Sequence, residues 1–188
     1  YGQLFRIIAN KVSYIERNNP ENKVLLIYDE SIDFVTSLLA CQYLGLISIP
    51  VAFPKNTRQF NRLETIVKQS GGKVIFCSER DMGKIKKGFS SINFGGTISA
   101  LPNSDSEPEM ILSEKNSQSD IAFIQYTSGS TSVPKGVIIT HENLMHNQKM
   151  LQEAFDCAVD SKILSWLPFY HDMGLFGNLL HTLYIGCT

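Results

Sequence analysis

Three short apolar runs, Val24–Tyr28, Leu46–Val51 and Val74–Cys77, constrain the fold of this chain more than any other feature. Each is too short for an ordinary helix and too uniformly apolar for a strand with one wet face, so each reads as a strand buried on both sides. Between them the spacing turns helical. Phe34, Leu38, Leu39 and Cys41 predict a largely buried helix that Gly45 ends, and Phe60, Leu63, Ile66 and Val67 predict another, closed by Gly71-Gly72. Ahead of the first run, Leu4, Phe5, Ile8, Val12 and Ile15 share one helical stripe. Strand and helix alternate as β-α-β-α-β, which predicts an α/β fold: a mainly parallel sheet flanked by helices.

The pattern then breaks. Residues 101–120 form a polar, acidic surface connector, with Met110-Ile-Leu112 as the one stretch able to bury. Regular patterning resumes with Ile121–Gln125 and Gly136–Thr140, two further short buried strands, and with a helix over His141–Val159 that offers Leu144, Met145, Met150, Leu151 and Phe155 to the core. His141 and His146 give the start of that helix a superficial likeness to a zinc-peptidase motif. Five residues of helix turn the two side chains roughly 140° apart, which argues against a shared metal. His181 reads as a packing or surface histidine. The 188 residues read as a single domain, long enough to bury a substantial core, with no internal repeat.

The strands at Ile121 and Gly136 bound the densest chemistry in the chain, Tyr126-Thr-Ser-Gly-Ser-Thr-Ser-Val-Pro-Lys-Gly136. Small side chains let backbone N–H groups approach phosphate oxygens, hydroxyls add donors, and Lys135 supplies charge. A Walker-type loop needs Gly-Lys-Ser/Thr opening a helix. Here Pro134 precedes the lysine and a strand follows, so a different phosphate chemistry is implied. The competing reading is a flexible Ser/Thr/Gly turn that binds nothing. Two tight apolar boundaries and a Pro-Lys-Gly stop weigh against it.

Other classes are disfavoured. A net charge of −1 leaves no basic footprint for nucleic acid. No apolar run approaches the ~20 residues of a bilayer-crossing helix, and the start, Tyr1-Gly-Gln-Leu-Phe-Arg, lacks a charged-then-apolar leader. Cys41, Cys77, Cys157 and Cys187 are widely spaced with no Cys-x-x-Cys pair, as expected of reduced, buried thiols in the cytoplasm.

The loop resembles the signature of the adenylate-forming, acyl-activating enzymes. A second block, Ser165-Trp-Leu-Pro-Phe-Tyr-His-Asp-Met-Gly-Leu-Phe-Gly177, is similar to a later core motif of the same superfamily and follows in the right order. Ser132, where most members have glycine, and His171-Asp-Met-Gly-Leu175 are similar to the fatty acyl-AMP ligase branch. The resemblance implies a partial AMP-binding N-terminal domain over 1–188, truncated at both ends, from an enzyme that uses ATP and Mg²⁺ to convert a fatty acid to an acyl-adenylate and pyrophosphate. It further implies an acyl carrier protein as acceptor.

By the same resemblance, Thr127, Ser128, Gly129, Ser130, Thr131, Lys135 and Gly136 would contact nucleotide, with Lys135 neutralising departing charge. Tyr170, His171 and Gly174 would face the substrate, His171 orienting the carboxylate or stabilising charge as it attacks phosphorus. Asp172 either orients His171 or caps a helix over Met173–Leu183, the second being the simpler role. Trp166, Phe169 and Tyr170 could line an acyl channel or belong to the core. No magnesium ligand, ribose-binding aspartate, hinge or C-terminal lysine of the family can be placed in this sequence, and the 188 residues alone are expected to be inactive. An acyl-CoA synthetase fragment and a non-catalytic nucleotide-binding remnant are the alternatives; an amino-acid-activating domain fits less well, because the second block lacks the Phe-Asp-x-Ser pattern.

Overall fold

The computed structural model describes residues 1–18, 20–29, 31–90, 94–108, 121–127 and 133–188. Helix α1 (Gly2–Asn18) leads into β1 (Lys23–Tyr28), α2 (Ser31–Tyr43), β2 (Ile47–Ala52), α3 (Thr57–Ser70), β3 (Val74–Cys77), α4 (Glu79–Phe89) and β4 (Thr97–Ala100). After the connector come β5 (Ile121–Thr127), β6 (Lys135–Thr140) and α5 (His141–Phe155). A π-helical segment, Met173–Leu180, then runs into α6 (His181–Ile185). The strands form one sheet in the order β4-β3-β1-β2-β5-β6. Every neighbouring pair is parallel except β5–β6, which is antiparallel.

The central strand explains its own sequence. Alternate residues of β1 point to opposite faces, so Val24, Leu26 and Tyr28 enter one core with Val12, Ile15, Leu38 and Phe123. Leu25 and Ile27 enter the other with Ile49, Leu63, Ile66, Ile75 and Ile85. With helices on both sides there is no wet face, and an uninterrupted apolar run is what such a strand requires. Helix α3 starts where Asn56 accepts the Gln59 N–H and stops at Gly71, whose φ of 68° reaches the left-handed region and lets its N–H donate to the Val67 carbonyl. Helix α5 follows β6 directly because Thr140 and Asn143 cap each other reciprocally (3.0 and 3.2 Å).

Several expectations are corrected. Phe5 is 45 % exposed, and the buried stripe of α1 is Ile7, Val12 and Ile15, with Lys11 among them. Met145, Met150 and Phe155 are exposed where core positions were predicted, while Gln148 is buried. Helix α5 ends at Phe155, where Asp156 takes a left-handed conformation (φ 51°), short of the predicted Val159. Cys41, Cys77 and Cys187 are buried as expected, but Cys157 is half-buried. Helix α4 and strand β4 were not foreseen. Within the connector Leu101 is buried, and the polar residues after it clasp α1: Arg6 donates to the Asp105 carbonyl (2.9 Å) and Asn10 to those of Ser104 and Ser106 (3.0 Å each). Met110–Leu112 lie outside the described residues.

Lys11 is a charged group buried in the core. Its side chain is fully buried, 3.7 Å from Asp33 Oδ1, and donates to Ser37 Oγ (3.0 Å) and the Asp33 carbonyl (3.3 Å). Ser37 in turn donates to the Tyr28 hydroxyl (2.8 Å). Burial outweighs the attraction of Asp33 and lowers the Lys11 pKa to about 8. Burial also pushes the Cys41 and Cys77 thiols up to about 12.

These shifts act in opposite directions. Between about pH 8 and 10.5 the unfolded chain holds the Lys11 proton more tightly than the folded one, so this group adds stability as pH rises. Above about pH 9 the thiols ionise only in the unfolded chain and remove stability as pH rises. Denaturant melts across this range are expected to show a shallow stability maximum near about pH 9. In Lys11→Met the rise from pH 8 is expected to vanish, leaving only the alkaline decline.

Candidate functional site

At the carboxyl ends of the parallel strands, β2, β5 and α3 border a cleft of about 390 Å³ with the residues that precede the π-helical segment. Clefts at this end of a parallel sheet are where α/β folds bind ligands. Val51, Ala52, Arg62, Gln125, Tyr126, Thr127, Tyr170, His171 and Asp172 line it. The antiparallel ladder sets Thr127 opposite Lys135 and Tyr126 opposite Gly136. The lysine therefore stands beside the last residue of β5 with its side chain in solvent. Ser128, Gly129, Ser130 and Thr131, together with Ser132, lie outside the described residues.

The second block meets β5 through one side chain. Gln125 Nε2 donates to the Tyr170 carbonyl (3.4 Å) across 45 residues of sequence. His171 is thereby held at the mouth of the cleft, exposed, with its ring 5.0 Å from that of Tyr170. Its N–H donates to the Pro168 carbonyl (3.1 Å) and its carbonyl accepts from Leu175 (2.8 Å), so the corner is closed on both sides. Asp172 spends its carboxylate on the Met173 N–H (2.8 Å), at the start of the helical segment. That segment is π-helical to Leu180 and α-helical to Ile185, where one helix to Leu183 was expected. Gly174 packs against the backbone: a β-carbon there would collide with the Pro168 carbonyl.

Thr127, Tyr170 and His171 thus line one cleft, while Lys135 and Gly136 stand on β6 opposite Thr127 and Tyr126 without lining it, and Gly174 packs against the Pro168 backbone. Two contributors escaped the sequence. Arg62, on α3, reaches the Tyr126 carbonyl at 3.5 Å and places a cation in the cleft, which Lys135 does not line. Gln125 ties the two motifs together. Neither carries a local signal, because each acts on a residue remote in sequence. The aromatic expectations divide. Phe169 and Tyr170 line a smaller cavity of about 120 Å³ with Tyr28, Phe34 and Val51, whereas Trp166 is 86 % exposed and lines neither space. Burial raises the Tyr126 phenol above its ordinary pKa.

Behind the site, His181 is buried and its Nδ1 lies 3.0 Å from Gln148 Oε1. Gln148 Nε2 donates to the Phe176 carbonyl (3.1 Å), leaving Oε1 as an acceptor and Nδ1 as the protonated ring nitrogen. Nε2 of the His181 ring is buried without a partner, and burial lowers the pKa of this imidazole. His181 therefore braces α5 against the helical segment and does not face the cleft.

Comparison with known proteins shows the family. Residues 13–188 match the AMP-binding enzyme family, and the chain belongs to it. A medium-chain-fatty-acid–[acyl-carrier-protein] ligase of Teredinibacter turnerae is 34 % identical over 88 % of this chain and 32 % of its own length. A medium-chain-fatty-acid–[acyl-carrier-protein] ligase of Moorena producens is likewise 34 % identical, over 92 % of this chain and 30 % of its own. The crystal structure of a fatty acyl-adenylate ligase from L. pneumophila, in complex with acyl adenylate and pyrophosphate, superposes with a TM-score of 0.79 at 29 % identity, covering 98 % of this chain and 32 % of that one. The chain thus spans about a third of the length of the relatives it matches.

Two substitutions test the construction of the corner. Gly174→Ala is expected to destabilise the fold by about 2–3 kcal/mol, because the backbone must shift to admit the methyl group. Gln125→Leu is expected to cost about 1 kcal/mol and to free the corner from β5. Urea unfolding followed by circular dichroism measures both, and the ring resonances of His171 report whether the corner has moved.

Proposed function

We propose that the parent enzyme activates a fatty acid with ATP, giving a fatty acyl-adenylate and pyrophosphate, and that it passes the acyl group to an acyl carrier protein. The observation that carries this reading is the Gln125–Tyr170 hydrogen bond, which brings His171 into the same cleft as Thr127, the root of the phosphate-binding loop. The Teredinibacter and Moorena relatives support the fatty acid and the carrier protein, and the L. pneumophila structure supports the adenylate and pyrophosphate.

In the proposed step a carboxylate oxygen attacks the α-phosphorus of ATP. The bond from that phosphorus to the oxygen bridging the α- and β-phosphates breaks, and pyrophosphate leaves with its electron pair. No proton need move, so catalysis lies in positioning and in neutralising charge. Thr127 and Gly136, with Ser128, Gly129, Ser130 and Thr131, would grip the β- and γ-phosphates, and Lys135 would offset the charge of the departing pyrophosphate. His171 would hold the carboxylate in line, beside Tyr170 and Gly174. Magnesium is expected from the family resemblance. No group of three or more His, Cys, Asp or Glu side chains gathers as a metal site among the described residues. No helix among the described residues is long and apolar enough to cross a membrane. A cytoplasmic location is part of the proposal.

In the full-length parent, Lys135→Ala and His171→Ala are each expected to lower fatty-acid-dependent ATP–pyrophosphate exchange by about 100-fold, and binding of an acyl-adenylate analogue should survive better in Lys135→Ala than in His171→Ala. Exchange at the parent rate in both variants would remove these residues from the mechanism. Parallel assays with a phosphopantetheinylated carrier protein and with coenzyme A identify the acceptor; transfer to coenzyme A alone would replace the carrier-protein reading with the synthetase one.

A further inference from the structure

Charge is unevenly spread along this chain. Residues 55–90 hold nine of its 17 lysines and arginines but only three of its 18 aspartates and glutamates, although the whole carries −1. The fold concentrates these cations further. Arg58 and Arg62, four residues apart, share one side of α3, and Lys84 and Lys87, three apart, share one side of α4. The last turns of α4 pack against the start of α3 and the residues just before it. A β-carbon at Gly88 would collide with the Phe60 ring, Phe60 and Phe89 meet edge to face (6.4 Å), and Lys84 Nζ lies 5.8 Å from the centre of the Phe53 ring. Lys55 follows Phe53 by two residues.

Lys55, Arg58, Arg62, Lys84 and Lys87 are all exposed, while Leu63, Ile66, Ile85 and Phe89 hold the inner sides of both helices in the core. The carboxylates of this region are engaged elsewhere. Glu64 holds Lys68 (2.6 Å), and the buried Asp81 lies 3.7 Å from Arg80. Among the described residues no ion pair involves any of the five. Arg62 lines the cleft and Lys55 the smaller cavity beside it. The positive surface thus begins at the mouth of the site and runs outward over α3 and α4. Such a surface is at home in water, and its unbalanced charge attracts an anionic partner over a long range.

We propose that this surface docks the carrier protein, through acidic residues around the serine that bears its phosphopantetheine arm. The inference rests on the carrier-protein reading above. A carrier protein presents its thiol on a flexible arm, so it must be held beside the cleft and not inside it, and the phosphodiester of the arm is itself an anion. Lys84 and Lys87 stand outside the two cavities, where a protein surface can reach them, and Lys55 and Arg62 stand at the cavities, where the arm would pass. A bilayer surface fits less well, because the apolar sides of α3 and α4 are buried in the core and neither helix can insert. Contacts between exposed charges speed encounter more than they hold a complex, which suits a partner that must leave once loaded.

The test reads the two half-reactions separately in the full-length parent carrying Lys84→Glu and Lys87→Glu together. ATP–pyrophosphate exchange is expected at the parent rate, which also shows that the variant is folded. Acyl transfer to a phosphopantetheinylated carrier protein is expected to lose at least about 10-fold in kcat/KM, through KM, at low salt. The loss should shrink as salt rises, and Lys84→Gln with Lys87→Gln should lose less than the charge reversal. Transfer equal to that of the parent overturns the proposal, as does a loss indifferent to salt. An equal fall in exchange and transfer also overturns it, since the surface would then serve adenylation and not docking. A parent that loads no carrier protein at all removes the carrier-protein reading itself, and the docking surface with it; undiminished loading by the charge-reversed variant removes the docking surface alone.

Discussion

Burial of β1 on both faces is the constraint on which the rest of the molecule depends. A strand with no wet face satisfies its backbone only through its neighbours, and β1 has β2 on one side and β3 on the other, both parallel to it. Parallel neighbours demand crossover helices, and the helices cover both faces. The cores built on alternate residues of one strand then align the carboxyl ends of β2 and β5 at a common edge. The cleft is what remains at that edge once the helices are packed.

The site is assembled from groups that the sheet holds and groups that it only touches. Thr127 and Lys135 belong to paired strands, and their separation is set by the ladder. His171 belongs to a corner fastened by two backbone bonds, by Gly174 against Pro168, and by Gln125 reaching over from β5. The first group is as rigid as the sheet. The second depends on a few contacts of modest individual strength.

Much of this was legible in the amino-acid sequence, for a physical reason. Strands buried on both faces leave continuous apolar runs, so β1, β2, β3 and β5 could be read directly, as could the helix ends at Gly45 and Gly71; β6 was read as buried in the same way, but Val137 and Ile138 are exposed at this edge of the sheet. Helix α4 was hidden by Gly83, Gly88 and a run of lysines, although Ser78 with Asp81 gives a capping signal at its start. Strand β4, Thr97-Ile-Ser-Ala100, has a single large apolar residue to announce it. Periodicity gave α5 an apolar face but could not say whether anything covers that face, hence the error at Met145, Met150 and Phe155. Lys11 lay inside a readable stripe, yet its partners Asp33 and Ser37 are 22 and 26 residues away, beyond the reach of any local pattern. Motif order offered Thr127, Lys135 and His171 as one candidate site, while the contacts that hold Tyr170 and α3 to β5, through Gln125 and Arg62, are tertiary and left no trace in spacing.

The antiparallel turn of the last strand has a consequence for how such a site can change. Because Lys135 is a rung of the β5–β6 ladder, its distance from Thr127 is a property of the sheet and owes nothing to the residues that connect them. Substitutions in the connecting segment can change its side chains while the cation keeps its station. An insertion or deletion absorbed within the connection leaves the lysine in place, but one that slips the ladder by a single residue turns its side chain to the opposite face of the sheet. Drift in composition is therefore tolerated here and drift in register is not, which separates the part of the motif free to vary from the part that geometry holds fixed.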